Sequence, residues 1–97
     1  MSDPLFEKLI HENEEKGFQL KLVVNEFKGI EYLHIRKYFL SFDDGYLPSK
    51  EGISFPCTLS NVYALLDGLI EVCAKAESLD SINEHFHIIV DKLQKVE

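Results

Sequence analysis

The sequence predicts an α+β fold in which an antiparallel sheet is followed by a helix, with further helices at the N and C termini. Two patterns carry this prediction. Apolar residues alternate with polar ones over 18–25 and again over 30–40, which is typical of half-buried strands. Apolar positions then step by three and four over 59–76, which indicates an amphipathic helix. A chain of 97 residues supports one domain.

The N-terminal segment is predicted to contain a short helix over 3–16. Asp3 can cap it, Pro4 suits its first turn, and Gly17 can end it. A frayed or disordered terminus is the alternative. The sequence therefore predicts that residues 1–17 are a helical or flexible segment.

The strands 18–25 and 30–40 are predicted to form a hairpin whose turn contains Gly29, because a tight turn needs permissive backbone angles. The second strand has two different faces. One face carries Tyr32, His34, Arg36 and Tyr38, and the other carries Leu33, Ile35, Lys37 and Phe39. The first of these faces needs a polar or charged partner.

The segment 41–49 contains turn-forming residues and is predicted to be a loop. A short third strand near Tyr46 and Leu47 and a fourth strand over 52–55 follow in this prediction. Pro56 then ends the sheet, because proline cannot donate to a strand ladder.

The main helix is predicted to begin with Thr58 or Ser60 as its cap and to end near Ala76. Its apolar face is wider than one small sheet requires, so a homodimer is expected to cover the surplus. The segment Ser81 to Glu84 matches a capping box, and a last helix follows it. The apolar seam of that helix packs either on its own domain or on a second helix across a dimer.

The net charge of −7 is unevenly distributed along the chain. The acidic excess lies in 1–17 and 56–97, whereas 18–55 contains five acidic and five basic residues. The total charge argues against a strongly basic nucleic-acid binder, although a few focused bases can still bind phosphate.

Several functional classes receive no support from the sequence. Cys57 and Cys73 lack a metal-ligand spacing, and His85 and His87 point apart on a helix. No phosphate loop, nucleophile motif or paired acid motif is present, so we expect no enzyme, no cofactor and no metal. No apolar run approaches the roughly 20 residues of a membrane span. An intracellular, reduced location is expected.

Three short motifs occur in this order along the sequence: Glu26-Phe-Lys-Gly29, Ile35-Arg-Lys-Tyr-Phe39 and Gly52-Ile-Ser-Phe55. Together they resemble the positive-cofactor-four family of transcriptional coactivators, whose members bind single-stranded DNA. The resemblance covers about residues 18–70. It implies a curved four-stranded antiparallel sheet followed by a helix, and a homodimer whose sheets form grooves for single strands.

The resemblance also implies the nucleic-acid-binding residues, which are Lys21, Phe27, Lys28, Arg36, Phe39 and Lys50. Phe39 stands where family members stack an aromatic ring on a base. Simple alternation places Phe39 on the face of Leu33, so a bulge or strong curvature after Arg36 would be needed to turn it outward.

Departures from the family pattern predict weaker or more salt-sensitive binding. Ile30 and Glu51 replace family lysines, and Asn25 replaces an arginine. Lys21 is a less direct match, because an ungapped comparison puts apolar residues at the family's first-strand basic positions. The serine-rich leader of the eukaryotic form is absent, which points to a bacterial or phage protein acting in the cytoplasm, in the nucleoid or in an infected host.

The function expected from these observations is non-catalytic binding of single-stranded DNA, in transcription regulation or in DNA replication and recombination. The alternative is an acidic dimeric module that recruits transcription or replication proteins. The predicted organisation is an N-terminal segment over 1–17, a nucleic-acid-binding sheet and helix over 18–76, and a C-terminal helix over 77–97.

Overall fold

The structure is a computed structural model that describes residues 4–76 and 78–95. Its elements are β1 (Phe6–Asn13), β2 (Phe18–Phe27), β3 (Ile30–Leu40), β4 (Tyr46–Pro56), α1 (Leu59–Ala76) and α2 (Leu79–Lys95). The chain divides into two compact units, which we name the sheet unit (1–58) and the helical unit (59–97).

The four strands form one open antiparallel sheet in the order β1-β2-β3-β4. The sheet and the helices that follow it confirm the predicted α+β class. Residues that face each other on neighbouring antiparallel strands share a face of the sheet. We call the face with Tyr32, His34, Arg36 and Tyr38 the polar face, and the face with Leu33 and Ile35 the apolar face.

The prediction of a helix over 3–16 is wrong, because residues 6–13 form the edge strand β1. Phe6 pairs with Val24 and Asn13 pairs with Phe18. Gly17, with φ of 70°, lies in the turn between β1 and β2 instead of ending a helix. The capping signals were local, whereas the ladder to β2 is a longer-range interaction that overrides them. The predicted cap Asp3 lies outside the described residues.

The turn between β2 and β3 has two residues, Lys28 and Gly29, with φ of 54° and 82°. Positive φ at both positions is the signature of a type I′ turn, whose twist matches that of the flanking strands. The predicted turn at Gly29 is confirmed. The tight turn also fixes a register that pairs Phe27 with Ile30.

The two short strands predicted after the loop are one continuous strand, β4. A bulge lets it remain paired with β3, since Arg36 pairs with Gly52 while Tyr38 pairs with Pro48. Gly52 has φ of 150°, and a Cβ there would lie 2.5 Å from the carbonyl oxygen of Ile35. The sequence signals of a break at this site therefore mark a bulge inside one strand. Pro56 ends β4, as predicted.

Among the described residues, the buried apolar side chains are Val23, Leu33 and Tyr38. Val23 and Tyr38 lie on the polar face, because Val23 faces His34 across the ladder and Tyr38 faces Gln19. The centre of the polar face therefore has an apolar floor, and charged groups surround it.

The helical unit contains α1 and α2, which contact each other. The predicted main helix is confirmed by α1. The predicted cap at Ser81 is wrong: α2 begins one turn earlier, and the Ser78 hydroxyl accepts a hydrogen bond from the Ser81 backbone N–H at 3.2 Å. Neither helix, over its described residues, has the length and apolar character needed to cross a bilayer.

Candidate nucleic-acid interface

Arg36 lies at the centre of the polar face and is held at two points. Its Nη1 donates a hydrogen bond to the Ser49 carbonyl oxygen at 2.9 Å, and its Nη2 donates to His34 Nδ1 at 3.1 Å. A guanidinium has no acceptor, so the His34 ring must accept in this bond. Both partners are neutral, so Arg36 keeps its full positive charge while its orientation is restricted.

The bulge in β4 is what brings the Ser49 carbonyl to Arg36. The Ser49 hydroxyl donates to the Lys37 carbonyl oxygen at 2.6 Å and accepts from the Glu51 N–H at 3.1 Å. Gly52 allows the close approach to β3. A serine and a glycine thus fix the local backbone, and the backbone in turn positions the arginine.

Burial and the nearby Arg36 charge both lower the pKa of His34, with burial the larger cause. The neutral ring is therefore favoured, which agrees with its acceptor role toward Arg36. The hydrogen bond between His34 and Arg36 therefore depends on the protonation state of His34.

Lys21 faces Arg36 across the β2–β3 ladder, but its charge is largely compensated. Its ammonium forms an ion pair with Glu7 of β1 at 2.5 Å and lies 4.4 Å from the centre of the Tyr38 ring. Tyr38 is only 8% exposed, so its ring is covered and cannot receive a base. Burial is the main cause that raises the pKa of Tyr38, followed by the Glu7 charge.

Phe27 and Lys28 lie at the β2–β3 turn. Phe27 is 62% exposed, and the Lys28 ammonium lies 5.3 Å from the centre of its ring. An exposed aromatic ring beside a cation is the combination that single-strand binders use, because the ring stacks on a base and the cation meets the backbone.

The last two predicted site residues lie at other positions of the sheet. Lys50 lies in the β4 bulge, is exposed, and has no ion pair with another described residue. Phe39 lies on the apolar face, where it pairs with Phe18 and Leu47. The bulge is on β4, so it does not rotate Phe39 outward, and the structure does not bring Phe39 to the face that holds Arg36.

Two shallow cavities lie on the polar face. One has a volume of about 350 Å³ and includes Lys21, Tyr38 and Tyr46 in its lining. The other has a volume of about 300 Å³ and extends from Phe27 to Arg36. Within residues 4–76 and 78–95, no cluster of three His, Cys, Asp or Glu side chains could hold a metal ion.

Residues 15–66 match the protein family described as Transcriptional Coactivator p15 (PC4), which is more than half of the chain. The chain belongs to the PC4 family. The match includes β2, β3, β4 and the start of α1, which are the elements that position Arg36, Lys28 and Lys50.

The PC4 fold also appears in a solved structure to which this chain is similar. That structure is of a bacteriophage T5 homolog of the eukaryotic transcription coactivator PC4, implicated in recombination-dependent DNA replication. The identity is 30%, the TM-score is 0.69, and the similarity covers 87% of this chain and 93% of the other. No curated protein matches this chain.

Sequence reasoning missed two residues of the polar face, Glu7 and Asn25, and one exposed aromatic residue outside the sheet, Phe42. Glu7 was missed because β1 was predicted as a helix, so its pairing with Lys21 could not be inferred. Asn25 was noted only as a departure from a family arginine, yet it lines both cavities. Phe42, in the loop between β3 and β4, is fully exposed, and only its isolation among polar residues could have marked it.

Proposed function

We propose that this protein binds single-stranded DNA without catalysis, through the polar face of its sheet. The observation that carries the proposal is Arg36, a fully charged guanidinium fixed by Ser49 and His34 at the centre of that face. A fixed guanidinium loses little side-chain freedom when it binds a phosphate. Lys28 and Lys50 provide two further cations for the same backbone.

The preference for single strands follows from the exposed Phe27 ring. Stacking on an aromatic side chain requires a base that is not already stacked and paired in a duplex. The protein is strongly acidic overall, so its affinity must come from a few local contacts and not from a general positive field.

We also propose that the working form is a homodimer. Apolar side chains remain exposed within each unit of one chain, for example Ile53 on the sheet and Leu69 on α1. Exposed apolar surface of this extent is typical of an interface. A dimer would also place two polar faces on one particle, and each would add to binding by raising the local concentration of sites.

The T5 homolog is implicated in recombination-dependent DNA replication, and the family is described as a transcriptional coactivator. We propose that the present protein acts in one of these processes, in a bacterial or phage-infected cell, by covering single strands that form there.

The test is a set of titrations with single-stranded and duplex oligonucleotides of equal length at several salt concentrations. We expect tighter binding to the single strand, and we expect the logarithm of the affinity to fall linearly with the logarithm of the salt concentration. Equal affinity for both forms, independent of salt, would exclude the proposal.

The alternative function is an acidic module that recruits transcription or replication proteins. The observation that favours it is α2, where Phe86, Ile89 and Leu93 are exposed beside acidic residues such as Asp91. A chain that binds no single-stranded DNA, but whose Phe86→Ala variant loses a protein partner in pull-down, would support this function instead.

A further inference from the structure

We propose that the loop between β3 and β4 (41–45) is a docking point for a protein partner whose contact segment carries apolar side chains flanked by lysine or arginine. The proposal goes beyond single-strand binding and does not depend on it. It starts from the full exposure of Phe42, the hydrogen bonds that order the loop, and the carboxylates around it.

The Phe42 side chain is fully exposed, with a relative exposure of 101%, so it adds nothing to the packing of its own sheet. Leu40, two residues earlier at the end of β3, is also exposed. Single apolar residues on a surface are ordinary, but a whole aromatic ring in water is the kind of group that dominates the energetics of interfaces. The loop therefore offers an aromatic anchor that the fold itself does not use.

The loop is ordered by the hydrogen bonds of Ser41. Its N–H and its hydroxyl both donate to the Gly45 carbonyl oxygen at 2.8 Å, and the hydroxyl accepts from the Asp44 N–H at 2.9 Å. Gly45 has φ of 74°, a conformation that glycine adopts more easily than other residues. A partner that covers Phe42 thus meets an ordered backbone, which lowers the entropy cost of binding.

The turn between β1 and β2 (14–17) lies beside this loop. The Leu40 N–H donates to the Gly17 carbonyl oxygen at 2.8 Å, which holds the turn against the end of β3. Burial raises the pKa of Tyr46, the first residue after the loop, and the charges of Glu12 and Glu14 raise it further. Carboxylates of β1 and its turn are therefore close enough to act on the loop.

The surroundings of Phe42 are acidic. The turn 14–17 and the loop 41–45 together contain one base and four acidic residues, which are Glu14, Glu15, Asp43 and Asp44. None of these four carboxylates forms an ion pair with another residue of 4–76 or 78–95. Their charge is thus available to an external cation.

This charge selects the occupant. Phe27 has the Lys28 ammonium 5.3 Å from its ring, whereas the acidic groups near Phe42 repel the phosphates of a nucleic acid or of a lipid surface. A second copy of a chain with net charge −7 is disfavoured for the same reason. A basic segment of another protein matches both parts of the surface, since its cations meet the carboxylates while its apolar side chains cover the ring.

The test selects displayed short random peptides for binding to the immobilised full chain, after depletion on its Phe42→Ala variant. We expect the recovered peptides to combine apolar residues with lysine or arginine. A recovered peptide should bind the wild type at least about tenfold more tightly than the variant, as for an aromatic hot spot. Phe42→Ala should melt at the wild-type temperature, because a fully exposed ring contributes no packing.

A second variant tests the charges. Asp43→Asn with Asp44→Asn should weaken peptide binding at low salt and make it less dependent on salt. Asp80→Asn with Asp91→Asn on α2 makes the same change of net charge and is its matched control. Phe86→Ala removes an exposed ring of α2 and is the control for Phe42→Ala. Both controls should bind the peptide as the wild type does.

The docking point is wrong if no peptide distinguishes the wild type from Phe42→Ala, if the recovered peptides lack bases, or if either control loses peptide binding. A lower sedimentation mass for Phe42→Ala would make the loop a contact between copies and overturn the proposal. A lower affinity of this variant for single-stranded DNA would do the same, by making the loop part of the nucleic-acid surface. A chain that binds these peptides but no single strand contradicts the proposed function alone.

Discussion

His34 Nδ1 accepts a hydrogen bond from Arg36 Nη2 at 3.1 Å, across two residues of the same strand. The bond exists only while His34 is neutral, because a guanidinium has donors and no acceptors. Protonation of His34 would break the bond and place two cations side by side. The arginine that we assign to phosphate binding is therefore coupled to a titratable group whose pKa is lowered, mainly by burial and then by the Arg36 charge.

Stability should fall as the pH is lowered below about 6.5. The folded state lowers the pKa of His34, mainly by burial and then by the Arg36 charge. The unfolded chain then binds the proton more readily, so the stabilisation is present above the ordinary histidine pKa and is lost as the pH falls through the lowered one. Thermal melts between about pH 8 and pH 5 measure the effect.

The His34→Gln variant should show a weaker dependence of melting temperature on pH over that range. His85→Gln on α2 is the matched control, since it removes an exposed histidine far from Arg36 along the chain. If both variants give the same pH profile as the wild type, His34 does not provide the coupling.

The double variant Arg36→Ala with Lys28→Ala should bind single strands more weakly and with a flatter salt dependence. Each lost phosphate contact on a single strand reduces the slope of log affinity against log salt by about 0.7. Titrations at several salt concentrations measure the slope, and thermal melts check the fold. A destabilised variant with an unchanged slope would mean that Arg36 has a structural role only.

Replacing Glu7 should strengthen binding. Glu7 pairs with Lys21, so Glu7→Gln releases a cation on the polar face and also removes a negative charge there. We expect higher affinity at low salt and a steeper salt slope, by about 0.7 if Lys21 then meets a phosphate. Glu14→Gln, which makes the same change of net charge in the turn between β1 and β2, is the control. Equal gains from both variants would show a general charge effect.

Gly52→Ala should destabilise the sheet by about 1–3 kcal/mol, because the new Cβ would clash with the Ile35 carbonyl oxygen. It should also weaken binding, since the bulge places the Ser49 carbonyl against Arg36. The matched control is Gly68→Ala in α1, where a Cβ meets no atom within 4 Å. That change should stabilise the helix by about 0.5–1 kcal/mol. Chemical denaturation of both variants provides the comparison.

Sedimentation at micromolar concentration should give about twice the mass of one chain. The apolar side chains exposed on both units provide the driving force for association. Leu69→Asp, a charged substitution on the exposed part of α1, should shift the equilibrium toward the monomer. A wild-type protein that sediments as a monomer would contradict the homodimer.

The sequence by itself determined the features that depend on local patterns. Alternation over 18–25 and 30–40 predicted the central hairpin, and Gly29 marked its turn. Apolar positions at helical spacing predicted α1. Three short motifs that resemble the PC4 family predicted the family to which the chain belongs. These features could be predicted because hydrophobic periodicity, turn-forming residues and short motifs each depend on residues that are close together in the sequence.

The tertiary structure decided what depends on pairing between distant residues. Local caps favoured a helix near the N terminus, but the ladder with β2 made β1 a strand and placed Glu7 against Lys21. The alternation of apolar and polar residues breaks off near Gly52, and in the structure this segment is a bulge in β4. The carbonyl oxygen of Ser49 in this bulge accepts a hydrogen bond from Arg36. Asn25 lines two cavities, and residues from all four strands contribute to one of them. Strand pairing and burial are properties of the assembled sheet, because each is set by partners that no single segment contains.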